Sequence, residues 1–476
     1  MLEKIFKLKE NGTDVKTEVI AGLTTFMTMA YIIALNPNLL TGFTANGGQE
    51  LWNAVFLATC IASAFGTILM AFIANKPFAM SAGMGLNSFF AVVVANIATI
   101  AGVSYLEGFR AGLCIILIEG IVFIILSALN VREKIVQAIP LGVRLGISPA
   151  IGLMLLNIGF GSNAGVYSET GGPFYAMANF FGSLTASYAK DTMGSGYSVM
   201  VLTVITMFVG LFTIVALDHK KVKGSVLYGI LTGSVIYWAG EYFVLHINPF
   251  ASLATASWLP PFKDMAALTL FKFDFNVLKS LGMFTVVTLV LTFCIIDMFD
   301  TIGTLVGTAS RANMLDENGN MPNMKEALLS DACGTVCGAL TGTSTITTFV
   351  ESASGVEAGG RTGLTSLVTG LIFLACMFIS PIAAIIPAAA TSSALIYVGI
   401  LMLQGLKNID FDDISVCVPV FIMLVAMPIS GSIGHGIGLG LIAYTIIKFI
   451  TGKAKEVSPL TLVLSILFLV KFFFAF

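Results

Sequence analysis

LGMFTVVTLVLTFCIIDMFDTIGTLV, residues 281–306, is long enough to cross a bilayer, and Asp297 and Asp300 are its only charges. A carboxylate at that depth is costly, so two on one span imply a function. A further carboxylate, Glu351, follows the small and β-branched run Thr341–Thr348 in a segment too polar and too short to be an ordinary span. Together these residues predict a polar site inside a membrane protein, for which transport is the default meaning.

Composition points the same way. With 57% apolar and 11% charged residues the chain does not describe a soluble domain. The net charge of −2 gathers into no basic patch, which excludes nucleic acid as a partner and leaves the lipid bilayer as the surroundings. The seven cysteines fall in or beside apolar segments and read as packing residues; Cys333 and Cys337, one helical turn apart, lack the further ligands of a metal site. The first apolar segment follows Lys4, Lys7, Lys9 and Lys16 with no small-residue cleavage site, so it reads as a retained helix rather than a signal peptide.

Spanning-length windows place segments near 18–40, 52–74, 78–101, 108–129, 138–160, 197–217 and 224–246. A second set lies near 283–308, 326–341, 344–358, 362–385, 388–406, 412–428 and 431–450, followed by an apolar stretch at 458–476. With the N-terminus cytoplasmic, seventeen of the 24 basic residues fall on the inner side and five (Arg110, Lys190, Lys263, Lys272 and Lys279) on the outer, with Arg144 and Lys471 unassigned. That is the positive-inside bias of fourteen spans in a cell membrane. Seven spans per half force the halves into opposite orientations, which makes an inverted repeat. Three sets of residues recur in order: Gly66 and Thr67 as Gly334 and Thr335; Ile139, Pro140, Gly152 and Leu156 as Ile386, Pro387, Gly399 and Leu403; and Gly224, Ser225, Gly229, Ile230 and Gly233 as Gly431, Ser432, Gly436, Ile437 and Gly440.

Inverted repeats place their sites near the midplane, where interrupted helices meet. Segment 3 reads as an extended stretch, Pro77–Ala82, opening into a helix at Gly83, Met84, Gly85, Leu86 and Asn87; segment 10 reads as an extended Thr343–Val350 opening into a helix at Glu351 and Ser352. Two short strands facing each other would satisfy their own backbone groups, and both helix N-termini would then offer amides and a positive dipole end to one point.

The runs SAGMGLNSFF (81–90), IDMFDTIGTLVG (296–307), LLSDACGTVCGALTGTST (328–345) and FVESASGVEAGGRTGLT (349–365) resemble the adenine/guanine/hypoxanthine permeases, the azaguanine-resistance branch of the nucleobase/ascorbate transporter superfamily. The resemblance runs from about Thr17 to Lys455. It implies an all-α polytopic membrane protein with a 7+7 inverted repeat and short strands in segments 3 and 10. The implied core domain comprises 17–130 and 281–386, the gate domain 131–250 and 387–455, with 456–476 as an added C-terminal segment. It further implies a permease acting as a proton-coupled purine symporter, with no cofactor beyond the coupling proton. Its substrate-binding positions fall on Gly85, Asn87, Asp297, Asp300 and Glu351, and Asp331 matches an aspartate of the ninth segment. Two departures stand out: Glu357 adds a carboxylate where the family is small and apolar, and Ile346 interrupts the hydroxyl run in a way that would reshape a pocket.

The residue chemistry agrees with that implication. A purine presents ring N–H donors, acceptors and a flat face, and a carboxylate such as Glu351 can accept two adjacent N–H groups. Asn87 can donate and accept at once. Burial of Asp297, Asp300 and Glu351 favours proton uptake, which supplies coupling. Ser352 and Asp331 are read as supporting residues around the site. Each reading has a structural alternative: a buried hydrogen bond for Asp300, Glu351 and Asp297, a helix cap for Asn87, and an ion pair with Lys325 or Arg311 for Asp331. Glu119 and Arg144 read as packing or interfacial residues, and His435 as a satisfied structural group. The rival functions are a uracil or xanthine symporter of the same fold, or an anion transporter or channel; no enzyme signature is present. The small and apolar gate faces are compatible with a homodimer.

Overall fold

The structure is a computed structural model that describes residues 2–42, 45–129, 140–163, 196–254, 256–311, 314, 321–430 and 433–474. Ile139, Lys190, Gly431 and Ser432, named above for topology or repeats, and Arg132 and Lys134, two of the seventeen inner basic residues, lie outside the described residues.

The described residues are mostly helical. Segment 1 is two helices, Val15–Met29 and Ile32–Leu40, broken at Ala30 and Tyr31. Segment 2 is Gly48–Leu69, continued by one wide turn at Met70–Ala74. Segment 3 is strand β1 (Met80–Ala82) followed by helix Met84–Ala101, and segment 4 is Tyr105–Ala128. Segments 5, 6 and 7 are Leu141–Ile158, Gly196–His219 and Ser225–Phe243. Segments 8 and 9 are Met283–Arg311 and Met324–Thr341; segment 10 is strand β2 (Ile346–Thr348) followed by the half-helix Ser352–Glu357. Segments 11 to 14 begin with helices Gly363–Ala375, Ala388–Leu403, Ile414–Ser430 and Ile433–Ile450. Ten of the described helices are long and apolar enough to cross a bilayer; segments 7, 9, 10 and 13 are not among them. Segments 9 and 10 are the polar pieces at the centre of the fold, surrounded by apolar helices, so lipid does not select for hydrophobicity there.

Segments 1–4 pack chiefly on one another and on segments 8–11, while segments 5–7 pack on segments 12–14. The repeat-related glycines explain how the halves meet. A Cβ built on Gly152 would come 2.7 Å from the Gly399 carbonyl oxygen, and one built on Gly399 would come 2.7 Å from that of Gly152. Segments 5 and 12 therefore cross backbone to backbone at equivalent points. A Cβ on Gly66 would likewise come 3.5 Å from Gly334 Cα, and both glycines face Ile346 and Met80. Residues that recur in sequence thus touch across an internal two-fold, which is the signature of inverted repeats. Ile346, expected to reshape a pocket, is instead fully buried against these glycines.

Polar ties fasten the first assembly. Glu18, buried at the start of segment 1, accepts from the amides of Arg361 (2.8 Å) and Thr365 (3.1 Å) and from the Thr365 hydroxyl (2.6 Å). Its carboxylate thereby fills the orphan amides that open segment 11. The Arg361 guanidinium donates to the carbonyls of Val356 (2.7 Å) and Gly360 (2.8 Å), closing the far end of the segment 10 half-helix.

The C-terminal stretch forms helix Pro459–Phe474 against segment 14. Gly438 leaves room for Phe468, the hydroxyls of Thr445 and Ser465 lie 2.8 Å apart, and His435 meets Phe472 edge-on at 5.6 Å. At 16 residues the helix measures roughly 24 Å, short of a full hydrocarbon crossing of roughly 30 Å.

Replacing Gly152 by Val should lower stability by about 1–3 kcal/mol, because the helix facing it is backbone rather than a side chain that can swing aside. The check is the thermal midpoint of the purified protein in detergent, and an unchanged midpoint would deny the close crossing.

Candidate functional site

The site is organised by β1 and β2, which pair antiparallel with Met80 opposite Thr348, Ser81 opposite Thr347 and Ala82 opposite Ile346. Two flanking bonds extend the ladder: the Gly83 amide to the Thr345 carbonyl (3.2 Å) and the Phe349 amide to the Ala79 carbonyl (3.0 Å). The two-fold passes between Ser81 and Thr347. Thr67 and Thr335, equivalent in the repeat, donate to the equivalent strand carbonyls of Met80 (3.0 Å) and Ile346 (3.0 Å). Every residue of both strands is buried, so these bonds are what permits extended backbone inside the membrane.

Four hydroxyls of the run before and within β2 are each tied to a different helix. Asn36 of segment 1 donates to Thr343 (2.8 Å), Ser344 donates to Asn87 of segment 3, and Thr345 donates to Glu119 of segment 4 (3.0 Å). Thr347 meets Thr301 of segment 8 at 2.7 Å. Thr343, Ser344, Thr345 and Thr347 thus each reach a different helix. Glu119, read from sequence as a packing or interfacial residue, is fully buried at the strand pair.

The sequence-predicted residues separate into two groups. Asp300 and Glu351 are largely but not fully buried, and Asp300 lies within electrostatic reach of both Glu351 and Asp331. Asp300 Oδ2 borders Gly83, where a built Cβ would approach it to 3.5 Å. Glu351 precedes the first turn of the segment 10 half-helix, its Oε1 accepting from the Tyr31 hydroxyl at 2.6 Å. Asp297, Asp331, Asn87 and Ser352 are fully covered. Asn87 donates to the Ala82 carbonyl (3.1 Å) and accepts from Ser344, so its amide joins the two broken segments. Ser352 Oγ accepts from the Ala79 amide at 2.9 Å, tying the half-helix to the start of β1. Gly85 faces the second assembly: a Cβ there would come 2.7 Å from Ile151 of segment 5 and 3.7 Å from Ile433 of segment 14.

Asp297 and Asp331 are joined by one hydroxyl. Thr301 Oγ1 lies 3.1 Å from Asp297 Oδ1, 3.0 Å from Asp331 Oδ1 and 2.7 Å from Thr347 Oγ1. Asp331 is thus drawn inward to the strand pair. A hydroxyl carries one hydrogen and accepts up to two, so it cannot donate to both carboxylates. A proton on one of the two acids would make both contacts full hydrogen bonds. Asp331 also sits at the repeat equivalent of Ser63, which meets Ser81 at 2.7 Å. The second half therefore carries a carboxylate where the first carries a hydroxyl.

Two contributors escaped the sequence reading. Thr301 was hidden among the threonines of segment 8, and only its spacing of four from Asp297 hinted at a shared face. Tyr31 is remote in sequence from Glu351 and carried no signal that it would be brought there.

Thr301→Val keeps the shape and removes the hydroxyl from two buried acids. It should cost about 1–3 kcal/mol of stability, with Thr301→Ser largely restoring the thermal midpoint. Equal midpoints for wild type and the Val variant would contradict the bridge.

Residues 16–434 match the family model described as Permease family. Putative permease MJ0326 of Methanocaldococcus jannaschii is 38% identical over 99% of this chain and 98% of its own length. Adenine permease AdeP of Escherichia coli is 36% identical over 100% of this chain and 96% of its own. Guanine/hypoxanthine permease PbuO of Bacillus subtilis is 37% identical over 98% of this chain and 100% of its own. Among solved structures, the transmembrane domain of a cyanobacterial bicarbonate transporter, BicA, aligns with a TM-score of 0.60 at 14% identity, covering 88% of this chain and 97% of that one. SLC26A9 aligns with a TM-score of 0.62 at 11% identity, covering 92% and 66%. These two likenesses concern the fold.

Proposed function

This chain belongs to the adenine/guanine/hypoxanthine permeases of the nucleobase/ascorbate transporter superfamily, and from that premise we propose that it takes up purine bases by proton-coupled alternating access. The observation that carries the reading is the pair of partly accessible carboxylates, Asp300 and Glu351, held beside the strand pair.

Glu351 receives the base. Its carboxylate accepts ring or exocyclic N–H groups, which are the donors that a purine presents and a simple anion lacks. The amides that open the segment 3 helix, Gly85 among them, serve a carbonyl oxygen or ring nitrogen. Asn87 acts by keeping that helix and the hydroxyl run in register, and Ser352 does the same for the segment 10 half-helix. Supporting the purine class are the relatives named for adenine and for guanine/hypoxanthine.

Proton coupling rests on the acids behind the site. Asp297 and Asp331 share the Thr301 hydroxyl in an arrangement satisfied when one of them holds a proton. Asp300, within electrostatic reach of Asp331 and Glu351, links that store to the base. Segments 1–4 and 8–11 then form the core that carries the base, and segments 5–7 and 12–14 the gate against which it moves. Gly85 against Ile151 and Ile433 is the close contact that such a movement must open. The protein is placed in the cell membrane, and the distribution of basic residues supports a cytoplasmic N-terminus.

The rival with an observation behind it is an anion transporter, because BicA shares the fold. Carboxylates at Asp297, Asp300, Asp331 and Glu351 oppose an anionic substrate electrostatically.

Uptake of labelled hypoxanthine, adenine, guanine, xanthine and uracil into cells lacking their own permeases should show accumulation of 6-substituted purines. That accumulation collapses with an uncoupler and falls at least about a hundredfold in Glu351→Ala, as expected when a charge-assisted contact is lost. Preference for xanthine or uracil would move the chain to a sister specificity; transport indifferent to Glu351 would remove the site.

A further inference from the structure

The break in segment 1 has a purpose at the site. Between helices Val15–Met29 and Ile32–Leu40 the chain turns so that Tyr31 points at the segment 10 half-helix. The neighbouring contacts fix that approach: Thr28 Oγ1 lies 2.9 Å from Ser354 Oγ, and Gly355 packs against Thr25. Tyr31 is 2% exposed, and its hydroxyl donates to Glu351 Oε1 at 2.6 Å.

This bond divides the carboxylate. A free carboxylate facing a base can receive two parallel N–H donors, one on each oxygen. Here Oε1 is already engaged by a phenol that segment 1 holds in place, while Oε2 remains for an incoming donor. Guanine offers N1–H together with its 2-amino group, a two-donor edge that must compete with Tyr31 for Oε1. Hypoxanthine offers N1–H alone on the same edge and needs only Oε2.

We propose that Tyr31 is a specificity-determining residue that favours purines presenting a single N–H to Glu351 over 2-aminopurines presenting two. The proposal rests on Glu351 being the base-binding carboxylate.

The test is inhibition of labelled hypoxanthine uptake by unlabelled guanine and by unlabelled hypoxanthine, in permease-deficient cells expressing wild type, Tyr31→Phe or Glu351→Gln. Tyr31→Phe keeps the ring and frees Oε1. The ratio of the guanine constant to the hypoxanthine constant is expected to fall roughly tenfold, the size of one hydrogen bond to a charged group. A ratio that stays constant, whether or not both constants move together, makes Tyr31 a packing residue and overturns the proposal. Where Tyr31→Phe abolishes uptake, the same ratio is read from the thermal shift of purified protein with each base, under the same criterion. Failure of the underlying reading looks different: Glu351→Gln then keeps wild-type constants for both bases, whatever Tyr31→Phe does.

Discussion

Antiparallel pairing of two fully buried three-residue strands is the constraint on which the rest of this structure depends. Buried extended backbone has no water to satisfy it, so Met80–Ala82 and Ile346–Thr348 can exist only as partners. Because they are partners, both half-helices begin near the two-fold, and the carboxylates associated with segments 8 and 10 are gathered there. The surrounding hydroxyls complete the constraint. Thr343, Ser344, Thr345 and Thr347 reach segments 1, 3, 4 and 8 in turn, so the strand is anchored from several helices at once.

The scaffold is nearly symmetric and the chemistry is not. Gly66 against Gly334 and Gly152 against Gly399 place equivalent backbones in contact, and Thr67 and Thr335 make the same strand bond. At the next equivalent pair the symmetry ends: Ser63 has a hydroxyl and Asp331 a carboxylate. Asp297, Asp300 and Glu351 also lie in the second half of the chain. One repeat thus supplies mostly backbone and amides, with Glu119, and the other most of the acids; the two-fold brings them to a common place. That division suits a base, which needs both donors and acceptors around a flat ring.

Much of this was legible in the sequence, for physical reasons. Charges inside apolar runs, glycines recurring in order and a hydroxyl run before Glu351 are local signals, and they located the spans, the repeat and the broken segments. Non-local pairing was less visible. Nothing in the run around Asn87 says that both amide atoms are consumed between Ala82 and Ser344, or that Glu119 reaches Thr345. Tyr31 and Glu351 are brought together only by the break in segment 1, and Thr301 acquires its meaning only when segment 9 places Asp331 against it. Ile346 looked like an intrusion into a pocket because its strand face could not be assigned before the register was known; in place, it fills the gap that Gly66 and Gly334 leave.

The central claim is that Asp300 and Glu351 border the place where a purine binds. A structure of the purified protein in lipid nanodiscs with hypoxanthine bound tests it most directly. The account predicts a flat ligand whose N–H edge faces Glu351 Oε2, with Tyr31 still on Oε1 and Asp300 beside the base. A ligand bound away from the strand pair, with the Glu351 carboxylate making no contact to it, would contradict the account.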